Sequence, residues 1–168
     1  FSFKESHPLR VEVVAPGLNL PGADLDPALW RGLAGPSLSG KDEDILMKLG
    51  MAGKDEDGTV RPTVTGILMA TCEPRQWLPN AFVQAVAYRG TMIFSEDDTN
   101  YQLDAADMSG PLNDQIMNAC AFVRKNMKVA ARKDLGRTDL PQYDMTAVFE
   151  AVVNAVAHRD YSIHGSKI

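Results

Sequence analysis

Cysteine is scarce in this chain: Cys72 and Cys120 are the only two in 168 residues, and they form no CxxC pair. A chain of this length can bury a core without covalent staples, so reduced thiols are expected rather than a disulfide framework. Histidine is equally sparse, at His7, His158 and His164, and none lies near a cysteine in sequence. That excludes the usual Cys/His zinc spacings. Long apolar runs are absent too: none approaches the roughly 18 residues of a membrane span. The opening "FSFKESHPLR" lacks the basic-then-apolar layout of a signal peptide. A cytoplasmic protein with no membrane partner is the expectation. With 17 basic against 22 acidic residues the net charge is −5, which opposes non-specific binding to nucleic acid.

What is there describes a folding chain. A hydrophobic fraction of 45% with 23% charged residues belongs to a globular protein of about one domain. Charge is unevenly placed. Residues 41 to 57 hold two "KDED" tetrads, whereas residues 124 to 137 hold Arg124, Lys125, Lys128, Arg132, Lys133 and Arg137 against the single acid Asp134. Cations near a helix C-terminus complement its dipole, and no aromatic is interleaved among these, which counts against single-strand stacking.

The first 40 residues repeat Pro and Gly too often for regular structure and read as a linker, apart from the alternating stretch 9 to 14 and a short helix at 24 to 33, capped by Asp26 with Pro27 in its first turn. Residues 41 to 168 read as an α+β domain. "KDEDILMKLGM" is a compact helix stopped by Gly50, and Asp57-Gly58 is a turn signal before the β-branched run "TVTGILMA". "FVQAVAYRGTMIF" (82 to 94) alternates as one or two strands, after a Pro-bounded loop carrying Trp77. From Leu112 to about residue 130 apolar side chains recur every three or four positions. A last helix, about 144 to 158, is capped by Asp144 and striped by Met145, Val148, Phe149, Val152 and Val156. The fold class expected is α+β: a small mixed β-sheet covered by helices, plus a small helical subdomain around 41 to 50.

The densest polar chemistry lies on that last helix. Glu150, Asn154 and His158 stand at i, i+4 and i+8, drifting about 40° per step and so sharing a face away from the apolar stripe. A polar face of this kind is also what the solvated side of any amphipathic helix shows. Two features go further: Asn is a mediocre mid-helix residue, and Ala151 and Ala155 leave room for a ligand beside the trio. A carboxylate can orient or deprotonate water, and an amide oxygen suits a hard cation such as Mg²⁺.

The stretch "EAVVNAVAHRDYS" (150 to 162) resembles the "EALVNALVHRDYS" signature of a bacterial family of ATP-binding transcriptional regulators, often labelled RecG-like. In that family a Schlafen/AlbA-like DNA-binding domain precedes a divergent GHKL-type ATPase domain. "LDPALW", "DEDILMKLGM", "TVTGILMA", "EPRQWLPNAFVQAVAYRGT" and "GPLNDQIMNACAFVRKNM" resemble the family's further landmarks, in order, so the likeness spans roughly residues 24 to 168.

The resemblance implies a GHKL-like N-box in which Glu150 activates water and Asn154 ligates Mg²⁺. His158, Arg159 and Asp160 match an extension of the motif, where Arg159 can meet a phosphate. The DxGxG adenine box lies downstream of the N-box in GHKL sites and does not occur here; Asp134-Leu135-Gly136-Arg137-Thr138 lies upstream and has Thr in place of the second Gly. The expectation is therefore a truncated GHKL-like ATPase portion, half of a Mg-ATP site, with nucleotide bound and ATPase activity expressed only in the full-length protein. DNA would be a partner through a domain absent from this chain. An incomplete sheet edge allows a homodimer. The alternative is a structural or oligomerisation module without nucleotide binding.

Overall fold

The computed structural model describes residues 25–35, 38–88, 102–133 and 137–161, with only the backbone described for 130–133 and 137–140. The chain divides into two compact units, Phe1–Thr71 and Cys72–Ile168. The division falls at 71/72 rather than near residue 40, because the helices on either side of residue 40 share one apolar cluster of Leu25, Trp30, Ile45, Leu46, Met51, Ala52 and Ala70. The strand expected at 9 to 14 lies outside the described residues.

In unit 1, α1 (Pro27–Ala34) begins as its sequence directs: the Asp26 carboxylate accepts from the Ala28 amide at 2.8 Å and Pro27 occupies the first turn. Helix α2 (Asp42–Lys48) has three acids in its first turn and Lys48 in its last, both favourable to the helix dipole. Trp30, only 1% exposed, fills the cluster between them. A hairpin follows, with β1 (Ala52–Lys54) antiparallel to β2 (Val60–Pro62) and Asp57-Gly58 in its turn. The β-branched run after it does not continue the strand. Residues Val64–Ala70 form α3, because the Thr63 hydroxyl accepts from the Gly66 amide at 3.1 Å as an N-cap and donates to the Gly50 carbonyl at 2.6 Å. Gly66 lies so close to the Met51 carbonyl that a Cβ there would collide with it.

Unit 2 opens with a 3-10 turn, Pro74–Gln76, followed by β3 (Val83–Tyr88) and β4 (Gln102–Met108). These pair antiparallel from Val83↔Met108 to Tyr88↔Gln102, with a bulge at Ala87/Tyr88. Helix α4 (Leu112–Asn126) packs against this pair and against α5 (Met145–Ala157). It stops at Asn126 rather than running to 130, and β5 (Val129–Lys133) turns back antiparallel to β6 (Arg137–Pro141). Every ladder among the described residues is thus an antiparallel pair rather than a mixed sheet. The architecture is a small α+β fold. The unit's core joins Val83, Met108, Ala119 and Val156, bordered by Leu112, Ile116, Phe122 and Val152. No helix among the described residues is long and apolar enough to cross a membrane.

One polar contact fixes α4 on the sheet. Asp104, on the face of β4 that carries Ala106 and Met108, accepts from Lys125 Nζ at 2.8 Å and Asn126 Nδ2 at 3.0 Å. The bond from Lys125, then that from Asn126, holds the Asp104 carboxyl below its ordinary range. The last turn of α4, bearing part of the basic cluster, is pinned there.

Candidate functional site

Helix α5 is built from local signals. The Asp144 carboxylate accepts from the Thr146 amide at 2.8 Å and starts the helix, and the His158 amide closes it on the Asn154 carbonyl at 3.1 Å. Val156 is fully buried, while Met145, Val148 and Val152 are half-buried. Phe149, expected in the same stripe, is instead 45% exposed: it lies in the less buried first half of α5, where Met145 and Val148 are themselves only half-buried.

Glu150, Asn154 and His158 are all exposed, as are Ala151 and Ala155 between them. The structure thus brings the three polar residues together on one open helical face with no bulky neighbour interposed on that face. Such a face admits a ligand to within reach of a carboxylate, an amide and an imidazole. Asp160, just beyond the helix, is exposed as well. Among the described residues no group of three or more His, Cys, Asp or Glu is arranged to hold a metal ion alone. An Mg²⁺ carried on phosphates needs only one or two protein ligands, which the exposed Asn154 and Glu150 suit.

Arg159 is placed differently from its neighbours. Half-buried, it donates from Nη1 to the Phe82 carbonyl at 2.8 Å, and its guanidinium lies 5.4 Å from the Tyr161 ring centre. Tyr161 in turn donates its hydroxyl to the Val156 carbonyl at 2.9 Å, satisfying one of the carbonyls that the end of α5 leaves open. Burial pushes the Tyr161 phenol above its ordinary value, with the nearby Arg159 charge acting in the opposite sense.

The segment receiving Arg159 is itself held from several sides. Gln115 of α4, only 1% exposed, donates to the Ala81 carbonyl at 3.1 Å and to the Gly110 carbonyl at 2.7 Å. Gly110 has φ +99°, a conformation that favours glycine. Arg75 stacks over the Phe82 ring with its guanidinium 4.4 Å from the centre. These residues escaped the sequence reading, although a glutamine inside the apolar spacing 112, 116, 119 was a readable signal for a buried polar contact. Trp77 is half-buried beside this turn, Cys120 is half-buried and Cys72 is exposed.

No protein family matches the chain. No curated protein matches it, and no solved structure matches it.

Proposed function

We propose that this chain contributes half of a Mg²⁺-ATP site to a cytoplasmic bacterial transcriptional regulator whose DNA contacts are made by another domain. The single observation that supports the reading most is the open face of α5, on which Glu150, Asn154 and His158 are all exposed and flanked by alanines. Asn154 would supply an amide oxygen to a phosphate-bound Mg²⁺, and His158 and Asp160 would border the phosphates. Mg²⁺, when bound, would neutralise phosphate charge. The chain's own part in hydrolysis is a proton acceptor: the Glu150 carboxylate orients a water and takes its proton.

Titration of Mg²⁺-ATP into the full-length gene product tests this. Binding that requires Mg²⁺ and disappears in Asn154→Ala is expected; unchanged binding in that variant removes the proposal.

A second reading, an oligomerisation module, is favoured by the exposed apolar side chains Val86, Tyr88 and Leu103 on β3 and β4. Under it, charge substitution at Val86 shifts the oligomeric state in sedimentation, while Asn154→Ala leaves nucleotide affinity untouched.

A further inference from the structure

Resting on the nucleotide-site reading above, we propose that Arg159 is a positioning residue: by clasping the Phe82 carbonyl it fixes the C-terminal end of α5, and with it the placement of Asn154 and His158. Apolar packing alone leaves that end under-determined. In the last turn of α5 and its cap, Val156 is buried while Asn154, Ala155, Ala157 and His158 are exposed, so apolar packing holds that turn through one side chain and leaves it free to shift about that contact.

The polar contacts remove that freedom. Arg159 follows His158 directly in the chain, and the His158 amide is bonded to the Asn154 carbonyl, so wherever Arg159 is held the last turn bearing both trio members is held with it. The holding atom is a main-chain carbonyl at 2.8 Å, whose location does not depend on a side-chain rotamer. That carbonyl is stationary because Ala81 before it is fully buried and bonded to Gln115, while Arg75 covers the Phe82 ring. On the helix side, Tyr161 closes the same turn through the Val156 carbonyl at 2.9 Å, with Arg159 lying over its ring. A planar guanidinium donates to the carbonyl in its own plane while its face lies over the ring, a fixed geometry that a rotatable ammonium on a flexible stem does not impose. Arg159 therefore acts on the site through α5 rather than by touching a phosphate.

Amide hydrogen exchange on the full-length protein without nucleotide, followed by Mg²⁺-ATP titration, tests this. In Arg159→Gln the amides of residues 155–158 are expected to exchange about 10-fold faster than in wild type, with those of α4 unchanged. The His158 ring resonances should shift, and the affinity for Mg²⁺-ATP should fall. Arg159→Lys should resemble Arg159→Gln although it keeps the charge.

Unchanged exchange without nucleotide, combined with weaker ATP binding, would make Arg159 a direct ligand and overturn the inference. So would a uniform rise across unit 2, the mark of a general packing contact. Should Arg159→Gln fail to fold, Tyr161→Phe removes only the hydroxyl on Val156 and should raise exchange at the same amides about 3-fold; no rise there also overturns the inference. A wild-type protein that binds no Mg²⁺-ATP would end the nucleotide reading, while exchange at 155–158 still decides whether the clasp exists.

Discussion

Gln115 and Ala81, 34 residues apart in sequence, meet inside unit 2, where the glutamine amide donates to the alanine carbonyl at 3.1 Å and both residues are at most 1% exposed. The same amide nitrogen serves Gly110, so one side chain satisfies two main-chain acceptors. Replacing Gln115 by Leu keeps roughly the volume but strands both carbonyls. Unfolding free energy in urea should drop by about 2 kcal/mol, the usual penalty for buried acceptors left unmade. A loss no larger than that of a surface substitution would show that water replaces the amide.

Gly66→Ala sets two effects against each other. Helix propensity alone favours alanine by about 1 kcal/mol, whereas a Cβ at this position meets the Met51 carbonyl, and main chain yields poorly. Overpacking should win, with a net loss of about 1–3 kcal/mol in chemical denaturation. A stabilised variant would mean that the hairpin moves away from α3 at little cost.

Acid should loosen the attachment of α4 to the sheet. The carboxyl of Asp104 is held below its ordinary value of 3.8, chiefly by Lys125 and then by Asn126, so the folded state binds its proton less readily than the unfolded chain. The contribution is fully present above pH 3.8 and is lost as pH falls through the lower folded value. Melting temperature followed through that acid range should fall less steeply in Asp104→Asn than in wild type; identical slopes would remove Asp104 from the acid response.

Alkali should act at the opposite end of the unit. Burial raises the Tyr161 phenol above 10.0, so its contribution to stability is fully present below pH 10.0 and is lost as pH climbs through the folded value. Phenolate absorbance should show one tyrosine titrating late, and Tyr161→Phe should abolish that late step. A Tyr161→Phe protein with the same late step would place it on another tyrosine.

What the sequence made legible was local. Asp26 and Asp144 announced their helices because an N-cap acts within three residues of itself, and α4 was readable from its three- and four-residue spacing. The β-branched run after Asp57-Gly58 misled because a Thr cap and a glycine fitted to Met51 outweighed β-propensity at 64 to 70. The end of α4 was overrun because Lys128 to Lys133 is compatible with a helix until its pairing with β6 is known. At the candidate site, the shared face of Glu150, Asn154 and His158 follows from helical geometry, and all three are exposed. The orientation of Arg159 does not follow from it, since its partner Phe82 lies 77 residues upstream and no local pattern encodes that meeting.

Trp30 and Trp77 are the chain's two tryptophans, and they fall one to each unit, the first fully buried and the second half-buried beside the Pro74–Gln76 turn. The molecule therefore carries its own pair of optical labels. Replacing either by Phe leaves a fluorophore that reports on a single unit, so emission curves from the two single-tryptophan proteins reveal whether both halves melt at one temperature or in succession, with no dye attached.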